Sequence, residues 1–283
     1  SKGGWVHSEV ADHTSVGQFI EKRFGVTIPA ISPWHRAVSS DLTSAFDFAR
    51  PNDPVFPRLP DTANYATLDA ASKKLPRATP PYTPSPLYQE KGSKYSRALP
   101  YRLKTTLAQF RNGEAVQLTF KNNGTAGAVF HVYDLNNLEK IPRRYTVEAG
   151  KFLEDQWATE SGKYDLEVFG PNGYFHKFSG SLQENEPIVE LEYDHRKGNL
   201  ILIIHNQGDT PVEISAVSNA YGYPARKTIC KAGSKNKLSW QLADSANWYD
   251  FILSTSGAFR YRLAGRVETG KPGVSDPAMA TEI

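Results

Sequence analysis

Asp12 and His13 stand side by side just ahead of a helical pattern, inside a polar run of Glu9, Asp12, His13, Thr14 and Ser15. A carboxylate beside an imidazole is the usual equipment of a metal or phosphoryl-transfer site. The helix start behind them adds partial positive charge suited to a phosphate. Ordinary capping competes with that account, because Asp, Ser and Thr before a helix accept hydrogen bonds from its free N–H groups. Spacing alone leaves both open.

Elsewhere the chemistry is thinner. From residue 98 onward there is no nucleophile motif, no glycine loop to cradle phosphate and no His/Cys pair at metal spacing. His131, His176, His195 and His205 fall at alternating strand positions or strand ends, where a solvated or hydrogen-bonded imidazole is the expectation. Tyr133, Tyr145, Tyr174, Tyr221, Tyr223 and Trp248 are candidates for a carbohydrate surface, with core or turn packing as the plainer use. Arg143, Arg144, Arg226, Lys227, Arg260 and Arg262 are candidates for contact with anionic lipid headgroups, with a solvated face as the plainer use.

Composition narrows the classes. The 283 residues carry 33 Lys and Arg against 30 Asp and Glu, a net charge of +3 with no long basic run, which argues against a nucleic-acid partner. No apolar stretch approaches the roughly 20 residues of a membrane span, and no leader pattern opens the chain. The single cysteine, Cys230, excludes an internal disulfide framework and reads as packing in a strand.

The elements that must position Asp12 and His13 lie in residues 1–48. Val16, Phe19, Ile20 and Phe24 recur at helix spacing and share one face. Ser15 with Gln18 fits a capping box, and Gly25 supplies the left-handed stop. Ser32 and Pro33 predict a second helix start, and Asp41 a further cap. So short a segment rarely buries enough surface to fold alone. With its start at "SKGGWVHSEV", it is expected to be the end of a larger domain, and the chain a fragment.

Residues 49–97 concentrate the prolines and predict an extended connector. Val55, Phe56, Leu59, Tyr65, Leu68, Tyr82, Leu87 and Tyr88 are expected to lie on a surface, with one short helix around "ATLDAASKKL". From residue 98 the hydrophobic period becomes two. "EAVQLTFKNNGTAGAVFHVYDL" predicts two strands around Asn-Asn-Gly, and "KYDLEVFGPNGYFHKFSGSL" two more around Gly-Pro-Asn-Gly, both read as hairpins. The pattern then returns. Asn123-Gly124 matches Gln207-Gly208, Trp157 matches Trp240, and Tyr164-Asp165 matches Tyr249-Asp250, at a steady offset of 83 to 85 residues. This predicts a duplicated domain, 98–184 and 185–270, followed by a tail, 271–283. Each copy holds about seven short strands, which points to a small Greek-key β-sandwich with Trp157 and Trp240 in the core. The fold class is mainly β: two tandem sandwiches behind a helical segment and a Pro-rich strap.

"SKGGWVHSEVADHTSVGQFIEKRFGV", "ISPWHRAVSSDLTSAFDF", both repeats and the closing "ETGKPGVSDPA" together resemble bacterial phosphocholine-preferring phospholipases C, a branch of a phosphoesterase family that also contains acid phosphatases. The resemblance covers nearly the whole chain. It implies that residues 1–48 end an alkaline-phosphatase-like α/β catalytic domain and that the repeats are the paired C-terminal domains. It further implies an exported enzyme, secreted or periplasmic, that cleaves phosphatidylcholine or sphingomyelin to release phosphocholine. The family's hydroxyl nucleophile and early Glu-Asn metal motif have no counterpart here. An unidentified divalent metal is expected in the missing N-terminal catalytic domain and no cofactor in this fragment, which alone is expected to be inactive. His13 is the candidate late metal or phosphate ligand, with Asp12 supporting it and Thr14 and Ser15 as caps. Phospholipid is the expected substrate surface. The rival readings are a tandem binding module for carbohydrate or protein and a piece of an acid phosphatase, whose tail should lack the duplicated sandwiches.

Overall fold

The structure, a computed structural model, describes residues 4–49, 58–83, 92–110, 114–159 and 161–279. Helix α1 (His13–Phe24) starts one turn earlier than Ser15 and Gln18 suggest. Asp12 is its N-cap and Ser15 is the third helical residue; Asp12 N–H donates to Ser15 Oγ at 3.1 Å, so the capping box is Asp12 with Ser15. Gln18 lies mid-helix and buried, and Gly25 ends the helix at φ 67°. Helix α2 (Pro33–Val38) begins at Ser32 with Pro33 in its first turn. Asp41 receives the N–H of Thr43 at 2.9 Å ahead of a single 3₁₀ turn.

The connector departs from its expectation. Helix α3 (Tyr65–Ser72) forms where "ATLDAASKKL" predicts one, but Leu59, Tyr65, Leu68 and Tyr82 are all exposed and lie on no surface formed by the described residues. Eight residues cannot enclose an apolar face by themselves. Val55, Phe56, Leu87 and Tyr88 lie outside the described residues. Past the connector, β1 (Tyr95–Ser96) is held on one side by Val6.

The first repeat supplies β2 (Leu103–Gln109), β3 (Ala115–Asn122), β4 (Ala128–Asp134), β5 (Arg143–Val147), β6 (Phe152–Ala158), β7 (Lys163–Phe169) and β8 (Phe175–Ser181). The second supplies β9 (Ile188–Asp194), β10 (Asn199–His205), β11 (Val212–Ser218), β12 (Arg226–Cys230), β13 (Lys235–Trp240), β14 (Trp248–Ser254) and β15 (Arg260–Arg266). Each packs a three-stranded sheet, β2-β3-β6 or β9-β10-β13, on a four-stranded one, β5-β4-β7-β8 or β12-β11-β14-β15. The Gly-Pro-Asn-Gly hairpin forms, with Asn172 at φ 56° and Gly173 at φ 70° between paired β7 and β8. The Asn-Asn-Gly hairpin does not: β3 pairs with β2 and β6, β4 pairs with β5 and β7, and the turn carries the chain from one sheet to the other.

The repeats join through β8 and β15, which makes one eight-stranded sheet. Phe175 pairs with Ala264 and Ser179 with Arg260. Because Phe175 corresponds to Arg260 and Ser179 to Ala264, the ladder is symmetric about the Lys177–Arg262 pair. The duplicated domains therefore meet as the two halves of an isologous dimer do. The C-terminal tail returns as β16 (Gly273–Val274) to pair with β1, so Val6, β1 and β16 form a narrow clasp.

Among the described residues, the hydrogen bonds that seat the helical segment come from the first repeat. Gly127 N–H donates to Ala37 O at 2.8 Å, and a Cβ there would stand 2.7 Å from that oxygen. Trp34 Nε1 donates to Thr146 Oγ1 at 3.0 Å, and Val10 N–H to Tyr101 Oη at 2.9 Å. In the second repeat Pro211 and Ile229 occupy the positions of Gly127 and Thr146, which removes an N–H donor and a hydroxyl acceptor.

Candidate functional site

The helical segment holds two polar clusters. In the first, Asp12 Oδ1 accepts from Thr14 N–H at 2.7 Å and from Thr14 Oγ1 at 2.6 Å, while Oδ2 accepts from Ser39 Oγ at 2.9 Å. His35 Nε2 stands 3.8 Å from that same Oδ2, and His35 Nδ1 lies 2.7 Å from Ser32 Oγ. The Thr14 hydroxyl, followed by Ser39, the Thr14 amide and His35, holds the Asp12 carboxyl below its usual range against the effect of burial. In the second cluster His7 Nε2 lies 2.8 Å from Ser44 Oγ and 3.3 Å from Glu9 Oε2, with Ser44 also on Glu9. Behind them a two-pronged Arg36–Glu21 pair at 2.6 and 2.9 Å, helped by the Ile28 amide, holds the Glu21 carboxyl down at about 2.

Asp12 and His13 are adjacent in sequence but are not brought together. Asp12 turns its carboxylate to the cap, to Ser39 and to His35. His13, the first helical residue, is exposed, and its side chain meets no partner among the described residues. What Asp12 does for His13 is indirect: it fixes the helix start that presents the imidazole. His35 and His7 were not singled out from the sequence, and Glu9 was read only as part of the polar run ahead of the helix. Ser32 and His35 do stand at N-cap and third helical position, the one local sign that they would meet.

A divalent metal fits this arrangement poorly. Both Asp12 oxygens are already engaged, and among the described residues no three His, Cys, Asp or Glu side chains converge as ligands. His13 is suited to add one ligand to a site completed from elsewhere, or to meet a phosphate.

Most of the remaining candidates have structural partners. Tyr174 is buried with its hydroxyl on Thr105 Oγ1, Tyr145 stacks on Phe120, and Trp248 donates to Val274 O. Tyr221 and Tyr223 bind Asp276 and Ser245. Tyr133 is half-exposed but meets Phe169 edge-on at 86°, so no flat platform for a sugar ring forms there. Four of the six basic residues are engaged: Arg143 with Asp155 and over Trp157, Arg226 over Trp240, Lys227 with Glu213, and Arg262 bidentately with Asp250. Trp157 and Trp240 are themselves buried. Cys230 is buried at the end of β12, its thiol on Ser234 O. Among the described residues no helix is long and apolar enough to cross a membrane.

Comparison with known proteins adds a family. Residues 95–181 and 187–266 match the family model described as bacterial phospholipase C, C-terminal domain. The chain is 46% identical over 290 residues to a non-hemolytic phospholipase C of Pseudomonas aeruginosa, an alignment covering 99% of this chain and 42% of that one. It is 43% identical to a non-hemolytic phospholipase C of Burkholderia pseudomallei, with coverage of 99% and 42%. Against a hemolytic phospholipase C of Pseudomonas aeruginosa the identity is 38%, with coverage of 99% and 43%. The chain thus spans about two fifths of the length of these relatives, and the likeness takes in the helical segment as well as the repeats.

Proposed function

The chain belongs to the family of bacterial phospholipase C C-terminal domains, and from that premise we propose that it is the C-terminal part of an enzyme that hydrolyses phosphatidylcholine, and sphingomyelin as a second substrate, to release phosphocholine. The observation that carries this reading is likeness along 99% of the chain to relatives named phospholipase C. The duplicated sandwiches favour it over an acid phosphatase, and the absence of a flat aromatic platform at Tyr133 leaves the carbohydrate reading without support.

In this reading the enzyme is secreted or periplasmic, and its nucleophile lies outside these residues. A divalent metal there would neutralise charge developing on the phosphoryl oxygens. His13 contributes one ligand or phosphate contact from the rim. Asp12 holds the helix start, and the seat on Gly127 fixes that helix against the first repeat. The repeats act as the rigid base that supports the catalytic unit at a lipid surface.

The test is phosphocholine release from phosphatidylcholine vesicles. The full-length enzyme is expected to turn over and the 283-residue chain alone to be inactive. In the full-length enzyme His13→Ala lowers kcat more than about tenfold with folding unchanged; native turnover would return the Asp12–His13 stretch to a purely structural role. An enzyme truncated after Arg97 is expected to lose both thermal stability and vesicle activity. Full retention of both would remove the supporting role of the repeats.

A further inference from the structure

Helix α1 turns Phe19 inward but packs with the rest of its apolar residues outward. Ser15 and Gln18 are buried, Gly17 faces Ile31 and Ile28, and Phe19 stacks on Phe46 at 5.3 Å. On the other side Val16, Ile20 and Phe24 are 57%, 41% and 66% exposed. These three and the exposed His13 follow one another at intervals of three, four and four residues, so a single stripe runs from the imidazole down the helix. A surface helix normally presents its apolar stripe to a core and its polar face to water. Here the arrangement is inverted.

We infer that the stripe His13, Val16, Ile20 and Phe24 is the seat of the catalytic unit, the polypeptide that in a phospholipase C precedes these residues, and that seating it encloses His13. The inference rests on the reading of the chain as the C-terminal part of such an enzyme. The repeats match the family's C-terminal domain, and the relatives carry more than half their length beyond the part matched here. A domain described as C-terminal puts that additional polypeptide ahead of these residues in sequence, on the side where α1 is found. The opposite side of α1 is already closed against Ile28, Ile31 and Phe46, so the stripe is the side left to receive it.

A lipid surface fits less well. Lys22 turns toward Asp41 at 3.8 Å and Glu21 holds Arg36, which leaves Arg23, lying over the Phe24 ring, as the one cation of α1 beside the stripe. Stable attachment to a bilayer calls for a wider apolar face with a basic border.

Thiol accessibility tests this without reference to activity. Ile20→Cys is made in the 283-residue chain and in the full-length enzyme, each with its unsubstituted parent as the blank; Cys230 is buried and reacts slowly in both. In the 283-residue chain the new thiol reacts with a maleimide at the rate of a free cysteine, and in the full-length enzyme at least about a hundredfold more slowly. Equal rates overturn the inference. So does protection that grows with the concentration of the 283-residue chain, which would mean a second copy, or protection that requires phosphatidylcholine vesicles, which would mean a membrane. The two readings separate cleanly. Protection in a full-length protein that releases no phosphocholine keeps the seat and removes the enzymatic reading, whereas release without protection does the opposite.

Discussion

Replacing Asn122 or Asn206 by Ala lowers the unfolding free energy by about 3 kcal/mol in each case, because each strands several buried backbone groups at once. The two residues correspond across the duplication and are both fully buried. Asn122 Nδ2 donates to Ala126 O at 2.7 Å and Val147 O at 3.1 Å, and its Oδ1 accepts from Gly124 N–H at 2.9 Å. Asn206 repeats the pattern with Thr210 O at 2.7 Å, Cys230 O at 3.0 Å and Gly208 N–H at 3.0 Å. These turns carry the chain from one sheet to the other, and the strands on either side of each turn form no ladder with one another. One side chain supplies the missing donors and acceptor. Size is therefore not what matters. The isosteric Asn122→Asp and Asn206→Asp keep the acceptor but aim oxygen at two carbonyls, and they should cost at least as much as Ala. Urea unfolding of the four variants is the check, and Asp variants of near-native stability would sink the argument.

Relative to the parent, His176→Phe should gain about 3 kcal/mol of stability as the pH falls from 7 to 4. His176 lies fully buried on β8, with Nδ1 on the Tyr174 hydroxyl at 3.1 Å and Nε2 without a hydrogen-bond partner among the described residues. Burial pushes its pKa down to about 3, opposed weakly by the Thr105 backbone. The unfolded chain binds a proton there near pH 6.5. Between those two values the unfolded state carries a proton that the native state refuses, so stability falls as the pH drops through that window. Phe keeps an aromatic ring between Tyr174 and Phe178 and cannot titrate. The measurement is urea unfolding of both proteins at pH 7 and pH 4. A difference between them that does not change with pH would mean that His176 does not contribute to acid lability.

Legibility followed the range of the forces involved. The Gly-Pro-Asn-Gly hairpin was readable because Asn172 and Gly173 carry the positive φ such a turn needs, a property of the residues themselves. Asn-Asn-Gly looked the same and was not, since a tight turn serves equally between paired strands and between sheets. The start of α1 was ambiguous for a related reason. Two overlapping capping signatures, Ser15 with Gln18 and Asp12 with Ser15, are locally equivalent, and Ser39, distant in sequence, supports the second through its hydroxyl on Asp12. His176 was readable as a strand residue but not as one sealed in a core between Tyr174 and Phe178.

Taken alone, the sequence determined the duplication, the two sandwiches, Gly25 as the helix stop and the family resemblance. All of these depend on residue order and short-range conformational preference, which act the same wherever the segment sits. The tertiary structure decided which strands pair, which repeat receives the helical segment and which way α1 faces. Gly127 and Pro211 differ by one ring, yet only the first leaves an N–H and the space for Ala37 O. Periodicity places Val16, Phe19, Ile20 and Phe24 on a common face but carries no information about direction, and the structure turns Phe19 inward onto Phe46 while the other three face out. Direction is set by what is packed against the helix, and contacts between residues far apart in sequence settle it.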